Sequence, residues 1–180
     1  MNPEEIVNCA IAAGFANAAM VDPAKIPFEP AFLTCCEENL CGKYGVNYTC
    51  PPACGTPQQM AQRIREKSHA LLLQTIWEID DPMDAAKTKE AKAEHNAMVR
   101  RVVAQLRQAG ITDGFMIGAS GCNLCTTCAL TEQKPCRFPQ DKFSCMSAYC
   151  IFVRELAESC GMDYDCPPGL TAFFGMYVFN

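Results

Sequence analysis

Nothing in this chain commits it to a membrane, a polyanion or a familiar catalytic motif. No apolar run approaches the roughly 18 to 20 residues that span a bilayer. The longest, around ALLLQTIW and TAFFGMYVF, have the length of buried strands. The 15 Lys and Arg against 20 Asp and Glu give a net charge of −5, and the basic residues never cluster beyond a pair. That balance argues against nucleic acid as a partner, because polyanion binding needs a concentrated positive field. The chain also lacks a Gly-rich phosphate loop after a strand, a G-x-S-x-G elbow and a His-Glu zinc signature. Its first residues, MNPEEIVNCAIAAGF, carry acid where a secretory leader carries base, and no clean apolar stretch with a cleavage site follows. The expectation is a protein of the reducing cytoplasm, with no membrane segment.

What is abundant is cysteine, 14 in 180 residues. In a secreted chain this would indicate a disulfide framework, but a reducing compartment keeps thiols free. Covalent help is also unnecessary, because 49% of the residues are hydrophobic and the length suffices for a real core. The thiols are therefore available for chemistry.

Local signals give the architecture. Asn2, Pro3 and Glu5 read as an N-cap, a first-turn proline and a capping-box acid, with Gly14 ending the helix. A strand comes next at about 15–21. Residues 22–56, rich in proline and cysteine, form an extended loop that a metal must order. Thr56 to Gln59 is a second capping box, then 70–79 reads as a buried strand. A long helix is expected from about Pro82 to Gln108, with Ala91, His95, Met98, Val102 and Leu106 as its apolar stripe. The acids of EIDDPMDAAK fit its solvated start. A strand at 115–118 leads into the second cysteine stretch. The repeat of Met146, Tyr149, Val153, Leu156, Ala157 and Cys160 predicts a further amphipathic helix, and a last strand lies near 170–179. Alternating helices and short strands without a linker indicate an α/β or α+β sandwich. The expectation is one compact domain over 1–180, with cysteine loops at about 35–56 and 119–143.

The second loop carries the sharper motif. Cys122, Cys125 and Cys128 stand at C-x2-C-x2-C, with Cys136 eight positions on. Two intervening residues let each turn of backbone present the next thiolate to an adjacent iron of a [4Fe-4S] cube, and a more distant cysteine closes the fourth corner. Zinc is the competing reading, but its tetrahedral sites usually use two separated C-x2-C pairs. Upstream, Cys36, Cys41, Cys50 and Cys54 offer a second set, with Cys35 a substitute for Cys36. Gly42 and Gly45 permit left-handed turns there, and Pro51 and Pro52 stiffen the loop. The expected cofactors are two [4Fe-4S] clusters, with zinc the alternative.

The other thiols take a plainer reading. Cys9, Cys145, Cys150 and Cys160 fall in or beside helical patterns, where cysteine behaves as a small hydrophobe. Cys166 reads as a loop residue. His69 and His95 lie on ordered elements and read as packed or half-exposed rather than as ligands.

The pieces NLCGKYG, TCPPACGTP, GCNLCTTC, CRFP and SAYCIFV, spanning about 35–155, resemble a family of predicted metal-binding proteins of unknown function found in anaerobic bacteria and archaea. That resemblance implies Cys36, Cys41, Cys50, Cys122, Cys125, Cys128 and Cys136 as the metal-binding set. Where the family tends to show glycine and an acid in the last piece, this chain has Cys150 and Phe152, which leaves an extra ligand or a redox thiol open at 150. The opening helix and GFANAAMV are also similar to the start of iron-sulfur, corrinoid-dependent reductases of the epoxyqueuosine reductase type. Three functions stand from this: an electron-transfer protein with a redox partner, an iron-sulfur enzyme whose cluster keeps an open iron, and a metal-stapled structural protein.

Overall fold

In a computed structural model that describes residues 1–81 and 84–180, the elements run in the order α1 (Pro3–Ala12), β1 (Asn17–Val21), α2 (Leu33–Glu37), α3 (Pro57–Arg65), β2 (His69–Glu78), α4 (Ala85–Gln108), β3 (Gly114–Gly118), β4 (Ser144–Cys145), α5 (Val153–Ser159) and β5 (Leu170–Phe179). The five strands form one mixed sheet in the order β1-β2-β5-β3-β4. All neighbours are antiparallel except β3 and β4, which run parallel and pair Gly118 with Cys145.

Strand alternation divides the core. Leu71, Leu73, Met116, Tyr177 and Phe179 face a layer built from α1 and α4, where Ile6, Met98, Val99, Val102 and Leu106 are buried. Ala70, Leu72, Ile117, Phe174, Met176 and Val178 face the other way, onto Met60 and Ile64 of α3 and Leu156 and Ala157 of α5. Each fully buried leucine of β2 contributes about 1.5–3 kcal/mol. The fold is α+β, with helices on both faces of the sheet. No described helix is long and apolar enough to cross a membrane.

The helix starts form as the sequence predicts. The Asn2 side chain accepts the Glu5 N–H at 2.9 Å while Glu5 accepts the Asn2 N–H at 2.8 Å, and Thr56 and Gln59 close the same box on α3. Asp84 caps α4 by accepting from Ala86 and Lys87, so the described helix begins at Ala85. The expected start at Pro82 lies outside the described residues.

One element needs correction. The single helix expected from Met146 to Cys160 is only Val153–Ser159, preceded by a 3-10 turn over Ser147–Tyr149. Cys150 adopts φ +53, a left-handed conformation that ends the turn, and Ile151 pairs with Phe28 as an isolated bridge. Apolar spacing at three and four survives across this break because Met146, Tyr149 and Ile151 pack on the same core as α5. The loop of 22–56 also contains one short helix, α2, that composition hides.

His95 is buried at the centre of α4. Its Nδ1 pairs with the Thr75 hydroxyl at 2.7 Å, and burial lowers its pKa to about 4. It is a packed core histidine, as its place on the apolar stripe predicts. His69 is exposed against Phe179.

Candidate metal centres

The two cysteine loops leave opposite ends of the sheet, since β1 and β3 run in opposite directions, and they meet beside the end of β3. β3 ends at Gly118, and Asn96 of α4 fixes the two residues after it. The buried Asn96 Oδ1 accepts the Ala119 N–H at 2.9 Å, and Nδ2 donates to the Ser120 hydroxyl at 2.9 Å. The chain then enters the downstream loop. Cys122, Cys125, Cys128 and Cys136, all half-buried, line one cavity whose wall includes Thr49 and Arg137.

Three devices hold that loop. Residues of the upstream loop bind Cys122 by its backbone: Lys43 Nζ and Asn47 Nδ2 donate to its carbonyl at 3.1 and 3.2 Å, and its N–H donates to Thr49 Oγ1 at 3.3 Å. A 3-10 turn over Ala129–Glu132 comes after Cys128, whose carbonyl accepts the Thr131 hydroxyl at 2.8 Å. Arg137 spans the loop, donating to the Thr127 carbonyl and the Glu132 carboxylate, both at 2.9 Å. The Arg137 guanidinium also stands beside Cys125, and Cys125 and Glu132 hold it more firmly charged.

The upstream cavity is assembled from separated segments. It is lined by Cys35 and Cys36 from α2, by Cys41 and Cys50 from the loop after it, and by Cys145 from β4. Left-handed turns at Asn39 (φ +53), Gly42 (φ +68) and Gly45 (φ +72) fold the loop back on itself, and the Gly45 N–H donates to the Pro51 carbonyl at 2.9 Å. Lys43 and Lys92 supply positive charge to the wall.

The two cavities share a partition. Ala119, Ser120 and Gly121 line the upstream one, and Cys122 begins the lining of the downstream one. A Cβ on Gly121 would stand 3.0 Å from Cys50 Sγ and 3.1 Å from Lys43 Cδ, so glycine lets the loops approach with no side chain to displace. Among the described residues no three His, Cys, Asp or Glu side chains converge tightly enough for a single metal ion. The thiols instead ring the cavity walls.

Cys54 does not face the upstream cavity. It is buried in the core beside α3, donates its S–H to the Gly55 carbonyl at 3.8 Å and lines a separate cavity with Arg63 and Tyr149. Seven of the eight candidate ligands therefore line the two cysteine cavities, and Cys54 lines a third. Burial, reinforced by neighbouring cysteines, pushes the Cys36 and Cys50 thiols up to about 12, and burial raises Cys54 to about 11 against the pull of Arg63. Thiols with raised pKa are poor nucleophiles, since attack needs the thiolate. A cation bound among them would offset the burial and the mutual repulsion that raise them.

Residues 19–179 match a family described as predicted metal-binding protein, DUF2284. The chain belongs to that family. No curated protein and no solved structure matches it. The DUF2284 region contains every cysteine of both cavities and leaves α1 and Cys9 outside. Cys9 donates to Gln105 at 3.3 Å and Cys160 sits at the end of α5, where both behave as ordinary packed thiols. Cys150 is buried in its left-handed turn, close to Cys35, and Cys166 is a half-buried loop residue. Sequence reasoning missed Asn96, whose polarity within an apolar helix stripe was the available signal, and it missed Cys145 at the upstream cavity, for which no spacing signal exists.

Proposed function

We propose that this member of DUF2284 holds an iron-sulfur cluster in each of the two thiol-lined cavities and passes single electrons to a partner redox protein in a reducing cytoplasm. The observation that carries the reading is the shared partition: Cys50 Sγ lies against Gly121, and the next residue, Cys122, lines the second cavity. Two redox groups so placed form a relay rather than two independent sites.

The donor set fits. Cys122, Cys125, Cys128 and Cys136 would hold the downstream cluster, and Cys36, Cys41 and Cys50 supply three thiolates upstream. The C-x2-C-x2-C spacing with a fourth, more distant cysteine suits a cube, whereas zinc usually takes two separated C-x2-C pairs. When bound, such clusters supply reversible one-electron exchange. The chain's own residues set the terms. Arg137 stands in the wall beside Cys125, and Lys43 and Lys92 place positive charge beside the upstream thiols, both favouring added negative charge. Leu40, 89% exposed at the rim of the upstream cavity, gives a partner an apolar foothold there.

Anaerobically purified protein is expected to carry about eight irons and eight acid-labile sulfides per chain, four of each per cluster. After reduction its electron paramagnetic resonance spectrum should show the broadening of two spins in proximity. Added cyanide should leave that spectrum unchanged. Stoichiometric zinc without sulfide would sink the iron-sulfur reading, and a cyanide-induced shift would replace the relay with an enzyme that has an open iron.

A further inference from the structure

We propose that Cys145, and not Cys54, completes the upstream centre as its fourth thiolate beside Cys36, Cys41 and Cys50. The inference rests on the metal-binding reading above and assigns a ligand that lies far along the chain from the rest of its set. Three placements carry it.

The first is the sheet. β4 consists only of Ser144 and Cys145, and it is pinned to β3 by the pairs Ile117 with Ser144 and Gly118 with Cys145. The Met146 N–H donates to the Gly118 carbonyl at 3.1 Å and locks that register. Ser144 is buried and Cys145, its alternate, is half-buried and lines the cavity with Cys36, Cys41 and Cys50. Register thus delivers Cys145 to the point where β3 gives way to the Ala119–Gly121 partition.

The second is what surrounds the sulfur. Ser147 and Ala148, which follow it, line the same cavity, and neither N–H donates to a backbone acceptor in the adjoining turn. N–H groups that donate to sulfur stabilise a thiolate and tune a metal bound to it. The third is mutual proximity. Cys145 shares a cavity wall with Cys36, Cys41 and Cys50, and Cys50 Sγ lies by Gly121, three residues beyond the Gly118 that pairs with Cys145.

The competitors are placed less well. Cys54 gives its proton to the Gly55 carbonyl and packs into the core with Met60 and Ile64. Cys35 lines the same cavity but is exposed, and α2 already supplies Cys36 to it. With Cys145 in place, the upstream centre has four protein thiolates and no vacant position for a small molecule. Bound metal would then tie α2 and its loop to the sheet edge.

The test compares Cys145→Ser with Cys54→Ser, each purified anaerobically and reconstituted with ferrous iron and sulfide. Cys54→Ser is expected to keep the parent's metal content and spectrum. Cys145→Ser is expected to lose about half of the metal, or to return an altered upstream signal, while the downstream centre stays filled and reports that the chain is folded. Full metal with an unchanged spectrum in Cys145→Ser overturns the proposal, as does loss of the upstream centre from Cys54→Ser. Should Cys145→Ser fail to fold, maleimide labelling of the unmutated chain decides. Cys145 is expected to react only after chelation, and equal reaction before and after overturns the assignment. A parent that holds zinc and no sulfide would end the iron-sulfur reading alone, because halved zinc in Cys145→Ser would still identify the ligand.

Discussion

The downstream and upstream cavities contain the same chemistry but are built by opposite means. Downstream, four cysteines fall within residues 122–136 and close on themselves through local turns, with Arg137 and the 3-10 turn after Cys128 fixing the geometry. Upstream, the thiols arrive from a short helix, a loop and a strand, and the cavity exists only because the sheet brings β4 beside the loop. A local site is written in spacing. An assembled site is written in strand register, and it fails when the fold fails.

The sharpest way to break the comparison is to remove one downstream ligand. Cys128→Ser is expected to empty the downstream centre, halving metal per chain, and to make residues 119–143 the first site of proteolytic cutting, because ligation and folding free energy are the same quantity in such a loop. The upstream centre should keep its metal, since none of its thiols lies in that loop. Metal analysis with limited proteolysis checks both. Loss of all metal would mean that the partition makes the two centres one cooperative unit.

This contrast also explains what is legible in the sequence. Capping boxes at Asn2 and Thr56 and the apolar runs of β2 and β5 are local signals, and those elements form within about one residue of expectation. The C-x2-C-x2-C stretch is local too, and its four cysteines do line one cavity. Periodicity overextends the helix across 146–160 because it records which residues meet the core and is blind to the left-handed break at Cys150. The stiff Cys50-Pro51-Pro52-Ala53-Cys54 segment suggests two thiols facing one metal. The Cys54 N–H instead bonds the Cys50 carbonyl at 3.0 Å, one turn on, and the two sulfurs line different cavities. Cys145 has no local signature, since its place depends on a two-residue parallel pairing.

Asn96 acts on both centres at once and sharpens the comparison differently. Asn96→Ala leaves the Ala119 N–H without its acceptor at the root of the partition and removes the bond to Ser120. Ala119 is half-buried, so the lost bond should cost about 1 kcal/mol, the lower end for an unsatisfied donor, and thermal unfolding should move down accordingly. Because Ala119 to Gly121 wall the upstream cavity and lead into the downstream one, metal release to a chelator should quicken at both. Asn96→Asp keeps the acceptor for Ala119 and is expected to recover part of the loss. Faster release at one centre only would show that the partition serves a single cavity.

Gly121→Ala is the smallest change and the most selective. Its backbone is not left-handed, so alanine brings no dihedral penalty, only a methyl placed 3.0 Å from Cys50 Sγ and 3.1 Å from Lys43 Cδ. The lysine stem can give way, but a thiol held in a buried cavity can move only by shifting the loop that carries it. The cost to stability should be at or below the lower end of overpacking, about 1 kcal/mol, and global unfolding will barely register it. The spectrum should register it. The upstream signal is expected to shift in g-values or potential more than the downstream one, because the methyl meets the Cys50 sulfur itself but reaches the downstream loop only through the Lys43 stem that bonds the Cys122 carbonyl. A shift confined to the downstream signal would mean that Gly121 belongs to the local site rather than to the assembled one, and the division between the two would have to be redrawn.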